Sequence, residues 1–263
     1  MNIFLRELKA NRKALIIWSV CMFLLVLSGM GKYTAYSSGS TSDVFDKMPY
    51  SLKAMLGIGS FDITTMSGFF AFLFPYIQLT TAIHAVLLGS GIMAKEERDK
   101  TTEFLMVKPV SRSTIITSKL FAALVNIVVV NLVTLFSSIA MVGVYNKGKD
   151  ITAEIIIFFV TMFIVQLIFL SLGALLSAFI RNPKASGSLA TGILFGSYVI
   201  SKVTDLTDRV NALNVLSPFK YFSYVKIVNE NSLSFGILIL SLLLVAAFSV
   251  STYFFYLKRD LNL

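Results

Sequence analysis

An all-α membrane protein with six transmembrane helices is the fold class this sequence predicts, and three observations predict it. Hydrophobic residues make up 56% of the chain and charged ones only 14%, with a mean hydropathy of +0.79, values outside the range of a soluble domain. The apolar residues fall in blocks of about the twenty needed to cross a bilayer core, and no Asp, Glu, Lys or Arg interrupts them, Lys202 standing only at the end of the fifth. No run of alternating ten-residue strands of the kind a barrel needs is present. Backbone groups in lipid then have only helices to satisfy them. The six blocks are 14–30, 69–93, 120–144, 155–180, 187–202 and 234–256, the fifth being the shortest, and they make one transmembrane domain over 1–263.

Taken in order, residues 1–13 mix Ile3, Phe4, Leu5 and Leu8 with Arg6, Glu7, Lys9 and Lys13. That pattern predicts a short amphipathic helix on the membrane surface before the chain turns into the bilayer. The block 14–30 reads as a retained span, because its basic flank contains Glu7 and no small-x-small cleavage site follows Met30. The single Cys21 lies inside it, so no disulfide framework exists.

Basic residues set the orientation. With the N-terminus inside, Arg6, Lys9, Arg12 and Lys13, the cluster from Lys95 to Lys119, Arg181 and Lys184, and Lys258 and Arg259 all fall on the inner side. These are most of the 23 Lys and Arg residues, so both termini are expected in the cytoplasm. The net charge of +9 then reflects topology and an anionic lipid surface, not nucleic-acid binding.

The first outer segment, 31–68, begins polar and carries Met48-Pro49-Tyr50-Ser51-Leu52-Lys53-Ala54-Met55-Leu56-Gly57. Pro near the start and Gly after the end mark a short helix. The short outer loop 146–154 follows a decoy, Gly143-Val144-Tyr145-Asn146-Lys147-Gly148-Lys149-Asp150, which nearly matches a phosphate-binding loop. Asp150 stands where a hydroxyl is needed, and the run follows a membrane helix instead of a strand, so no nucleotide site is read here. Arg181-Asn182-Pro183-Lys184 is a tight inner turn. The outer segment 204–233, rich in aromatics around Leu216-Ser217-Pro218-Phe219, either re-enters the outer leaflet or forms an interfacial belt.

Inside the spans, chemistry-bearing residues are few. His84 is the only group there whose ordinary pKa lies near neutral, the one candidate for a coupling residue, and Gln78 and Thr81 extend its polar arc along the second span. Such a His is either a hydrogen-bonded interior residue or part of a pathway with Asn126 of the third span. Asn126 and Asn131 are five apart and face different ways, and Gln166 stands alone in the fourth span. Each polar amide is expected to make an interhelical hydrogen bond of about 1 kcal/mol. One His excludes H-E-x-x-H, and neither G-x-S-x-G nor paired membrane carboxylates occur, so no catalytic activity is expected of the chain. Ser188, Gly192 and Gly196 of the fifth span recur every four residues and give a face for close helix packing, within the chain or in a dimer.

The inner loop 94–119 is the most specific signal. Lys95-Glu96-Glu97-Arg98-Asp99-Lys100-Thr101-Thr102-Glu103 surrounds the apolar run Phe104-Leu105-Met106-Val107, and Lys108-Pro109-Val110-Ser111-Arg112 follows. Pro109 ends any helix by Lys108, and Ser111 is a cap for the next one. About two turns of helix fit between Thr101 and Val107. Glu96, Glu97, Asp99 and Glu103 would be repelled by anionic lipid, so a groove on a partner protein is the better cover for the apolar side chains.

These residues resemble type-2 ATP-binding-cassette (ABC-2) exporter permeases. The resemblance rests on Gly91 with the acidic pair Glu96-Glu97, on Thr102-Glu103-Phe104-Leu105, and on Pro109-Val110-Ser111-Arg112 with Lys119. Lys100 or Thr101 stands where the family has Gly. Pro49 to Gly57, Ser67-Gly68-Phe69 and Leu216-Ser217-Pro218-Phe219 extend the likeness along the chain. The resemblance implies a dimeric, non-catalytic permease in a bacterial plasma membrane, as a homodimer or with a paralogue. Separate cytoplasmic ATPase subunits would bind ATP and Mg, this chain holding no cofactor. It further implies a coupling helix in the inner loop, contacting the ATPase through Glu96, Glu97, Thr102, Glu103, Phe104, Leu105, Pro109 and Arg112. Spans without fixed charge point to a hydrophobic or amphipathic cargo, with a toxin-like or antimicrobial peptide preferred. The rival readings are an ATP-independent channel or carrier, and a membrane assembly factor that moves nothing.

Overall fold

The computed structural model describes residues 3–37, 48–49, 52–53, 61–100 and 110–258, and every regular element among them is helical. In chain order these are α1 (Ile3–Met30), α2 (Tyr33–Ser37), α3 (Met66–Arg98), α4 (Arg112–Tyr145), α5 (Thr152–Phe179), α6 (Pro183–Leu206), two 3₁₀ turns (Asp208–Leu216 and Pro218–Lys220), α7 (Tyr224–Glu230) and α8 (Phe235–Lys258). Five of them are long and apolar enough to cross a membrane: α1 continued through α2, α3, α4, α5 and α8. The 24-residue α6 matches α8 in length but is less apolar, because Ser, Gly and Thr punctuate it.

α3 and α5 form the centre. They run in the same direction and touch from Ser67 beside Glu154, through Phe74 against Phe158 with ring centres 4.6 Å apart, to Ser177 Oγ donating to Ser90 O at 3.0 Å. Two glycines permit this approach. A Cβ at Gly89 would overlap the Leu170 carbonyl oxygen, and one at Gly173 would come within 2.5 Å of Val86 O. Without a side chain at either point, backbone meets backbone and dispersion does the work that hydrophobicity cannot do between helices in lipid. α1, α4, α6 and α8 surround this pair, and α1 and α8 leave large apolar side chains such as Ile17, Leu243 and Val250 exposed.

The boundaries have local causes. Ser111 caps α4, its Oγ accepting from Thr114 N at 3.2 Å, as the sequence predicts. Asn182 caps α6, accepting from Lys184 N at 3.0 Å, with Pro183 at the first helical position. Asp150 accepts from Thr152 Oγ1 and N just before α5, and these hydrogen bonds hold its carboxyl below the usual range. At Pro49, the carbonyl accepts from Leu52 N and Lys53 N, the described part of the short helix expected at 48–57.

One expectation is corrected. Residues 3–30 form a single uninterrupted helix, so the interfacial helix expected over 1–13 is not a separate element. No Gly or Pro breaks the chain there until Gly29. Glu7 is also buried, and it pairs with Lys95 of α3 at 3.2 Å, which draws the first turns of α1 against the bundle.

Replacing Gly89 by Ala is expected to destabilise the bundle by about 1–3 kcal/mol, the usual cost of overpacking a tight contact. Gly91→Ala, where nothing lies within 4 Å, is the control. Thermal unfolding in one detergent should show a lowered Tm for the first and no loss for the second.

Candidate functional site

The end of the bundle where α3 stops and α4 starts brackets the segment 101–109. Thr102, Glu103, Phe104, Leu105 and Pro109, and with them the expected coupling helix, lie outside the described residues. What the structure shows is how the two flanking helices are held. Lys119, two turns into α4, has no exposed side-chain surface. Its ammonium meets the Glu96 carboxylate and donates to Ile92 O at 2.8 Å, so α3 and α4 share one buried ion pair. Next to it on α3, Lys95 pairs with Glu7 of α1. Adjacent residues of one helix thus reach two different neighbours through opposite charges.

This places the sequence-predicted loop residues in different roles. Glu96 is buried and taken up by Lys119, so its carboxylate braces the base of the loop instead of facing outward. Glu97 is half-buried at the helix end. Arg112 is part-exposed at the start of α4, and its Nη1 donates to Leu257 O at 3.2 Å, tying the loop base to the end of α8. Asp99 caps α3, its N–H bonding Lys95 O at 2.9 Å.

Lys100 then adopts φ 52, the left-handed region where a Cβ costs roughly 1–2 kcal/mol and glycine costs nothing. The resemblance puts a glycine of the family at 100 or 101, and this backbone gives the reason for one at 100.

The polar residues of the interior are buried but do not form one continuous line of mutual contacts. Gln78 accepts from the Tyr224 hydroxyl, a partner supplied by α7. Thr81 Oγ1 donates back to Ile77 O at 3.0 Å, and Asn126 Nδ2 to Ala122 O at 2.7 Å, each within its own helix. Asn131 Nδ2 donates to Gln166 Oε1 at 3.0 Å, joining two amides that the sequence reading left apart. His84 packs on Trp18 with ring centres 5.1 Å apart, and its Nδ1 has no hydrogen-bond partner among the described residues.

Ser188, Gly192 and Gly196 all lie exposed on α6, and a Cβ at either glycine would meet nothing within 4 Å. α6 faces the bundle with its other side, through Ala190, Leu194 and Ser197. Among the described residues, no helix of this chain covers the small-residue stripe.

After α6, the chain folds back into the bundle. Phe219 is buried against Phe169 and Tyr198, with ring centres 5.3 and 5.5 Å away, and Ser217 Oγ donates to Ser197 O at 2.8 Å. Phe169 lies seventeen residues into α5, about 25 Å along its axis from the end at Thr152.

Residues that sequence reasoning missed are Glu7, Gly89, Gly173 and Tyr224. Only Glu7 left a signal, as the lone acid in a basic flank. A family model described as ABC-2 family transporter protein matches residues 1–261. No curated protein matches the chain.

Removing one member of the buried pair, as in Glu96→Gln or Lys119→Met, is expected to cost about 3–5 kcal/mol because the other charge is left unpaired. The double variant Glu96→Leu/Lys119→Met should recover much of that loss, read as Tm and yield of folded protein. Lys100→Gly should leave Tm unchanged or raise it slightly, whereas Lys100→Ile, β-branched in a left-handed position, should lower it.

Proposed function

The chain belongs to the ABC-2 transporter family as a permease subunit, and we propose that two copies, driven by separate cytoplasmic ATPase subunits, export an amphipathic or hydrophobic cargo. The observation that carries this reading is the family match over nearly the whole chain, together with the ion-paired base of the segment 101–109. In this reading both termini and that segment are cytoplasmic, α6 is the sixth span, and the chain sits in a bacterial plasma membrane. ATP and Mg belong to the partner ATPase.

Force follows from the geometry. The segment 101–109 would seat in a groove of the ATPase, with Phe104 and Leu105 as its apolar contacts and Thr102, Glu103 and Pro109 shaping it. Because Lys119 joins α3 to α4 and Lys95 joins α3 to α1, a push on the segment moves three helices as a unit. The partner copy would meet the open face of Ser188, Gly192 and Gly196. The Pro218–Lys220 turn, packed beside Phe169, supports a re-entrant segment that caps the exit. Spans without net charge favour an amphipathic peptide of the toxin or antimicrobial kind as cargo, passing Gln78, Thr81, His84 and Asn126.

Two measurements test the proposal. Phe104→Asp and Leu105→Asp should leave insertion and dimer formation intact and abolish co-purification with the ATPase; unchanged association removes the segment from this role. In vesicles holding the permease with its ATPase, an exported peptide should stimulate ATP hydrolysis several-fold. Transport that proceeds without any ATPase would instead identify a channel or carrier.

A further inference from the structure

At the far end of the bundle from segment 101–109, a cavity of about 700 Å³ lies between α2, the residues leading into α3, the 146–151 loop and α7. Its size suits a small ligand, and its chemistry is unusual for a membrane protein. Glu154 lines it and is only 6% exposed, yet its partner is the Ser67 hydroxyl, and no Lys or Arg pairs with it among the described residues. A buried carboxylate of this kind is ordinarily matched by a cation. Its place in the first turn of α5 offsets part of the charge through the helix dipole but supplies no donor beyond Ser67.

Two cations line the same cavity without pairing with Glu154. Lys147 and Lys149 stand on the loop, both exposed. The loop is held in shape by Asn146, whose Nδ2 donates to Lys149 O at 2.8 Å and whose Oδ1 accepts from Gly148 N at 2.9 Å. The opposite wall is fixed by Tyr33, its hydroxyl donating to Thr64 O at 3.1 Å. The cavity therefore offers one anion inside and two cations on the loop, all on braced backbone. A purely cationic ligand would suit Glu154 and be repelled by the lysines, and a purely anionic one would meet the reverse.

We propose that this cavity binds a phosphoethanolamine group, its primary ammonium on Glu154 and Ser67 and its phosphate on Lys147 and Lys149. A primary ammonium supplies three donors to the buried oxygens, and the phosphate takes charge-assisted hydrogen bonds from the two lysines. The same chemistry is carried by an aminophospholipid headgroup and by the free soluble compound. The site is independent of the proposed cargo and lies at the opposite end of the molecule from the ATPase segment.

The test uses the full chain purified in detergent, with native mass spectrometry of bound phosphatidylethanolamine, phosphatidylcholine and phosphatidylglycerol of identical acyl chains. The expected result is retention of phosphatidylethanolamine roughly tenfold above the other two, or about 1.4 kcal/mol. Glu154→Gln should lower it to the level of phosphatidylcholine without reducing phosphatidylglycerol, and Lys147→Gln/Lys149→Gln should reduce phosphatidylethanolamine and phosphatidylglycerol together. Soluble phosphoethanolamine is added in a second arm. A rise in Tm identifies the free compound as sufficient, and lipid retention without such a rise assigns the site to the membrane lipid. Equal retention of the three lipids by the wild-type chain overturns the proposal, as does a preference that survives Glu154→Gln. Should that variant fail to purify, the wild-type comparison and the double lysine variant decide the matter.

Discussion

A lysine ammonium with no access to water has to find a carboxylate, and the base of the loop is organised around that requirement at Lys119. Glu96 reaches it only if α3 continues past the apolar block that ends at Met93, and α3 does continue, to Arg98. Lys119 itself lies inside a helix only if α4 starts well before the apolar block at 120, and the Ser111 cap provides that start. The pair therefore fixes the two helix ends that bracket 101–109. Its cost is real, since two charges have left water. What it secures is that α3 and α4 cannot separate at the loop without exposing an unpaired charge to apolar surroundings.

This also explains where the sequence was legible and where it was not. Apolar blocks announce helices, and each of the six became one, because lipid leaves the backbone no other way to bond. Ser111 and the Asn182-Pro183 pair were legible as starts because capping chemistry is local. The end of α3 beside the loop was not legible, since hydropathy counts Glu96 as a penalty while in the structure Lys119 cancels it. For the same reason residues 1–13 looked like a surface helix: Glu7 and its basic neighbours seemed to need water, and the pairing of Glu7 with Lys95 lies 88 residues away. Gly89 and Gly173 gave no pattern, because each is one glycine in its own helix and their meaning arises only where the helices cross. The segment 101–109, proposed above to meet the ATPase, lies outside the described residues and was read from its sequence.

The interior polar residues bear on the choice between a driven permease and a self-sufficient carrier. A carrier needs a titratable or ion-binding group that changes state as it works. Gln78, Thr81, Asn126 and Asn131 are uncharged and already hydrogen-bonded inside the bundle, to Tyr224, to their own helices or to Gln166. Among the residues of this polar arc His84 alone could change charge, and it packs on Trp18 with no hydrogen-bond partner for its Nδ1 among the described residues. An arrangement of this kind stores no charge that a proton or ion gradient could act on at these residues. It supplies no energy, which favours an external source.

The surface of the bundle carries the argument one step further, to where a second copy would sit. Helix association in lipid gains little from hydrophobicity, because lipid tails are as apolar as leucine, and depends instead on how closely backbones approach. α1 and α8 present Ile16, Ile17, Leu243 and Phe254 outward, side chains that lipid accommodates well and that hold a neighbouring helix at a distance. α6 presents Ser188, Gly192 and Gly196 with open space beyond the two glycines, on the least apolar of the chain-length helices. That face gains least from lipid and most from another helix, so of the outward surfaces it is the one that a dimer would cover. The turn at Pro218 to Lys220 leans on the same helix, Phe219 packing on Tyr198 and Ser217 bonding Ser197 O, so it would lie beside the seam of the proposed dimer.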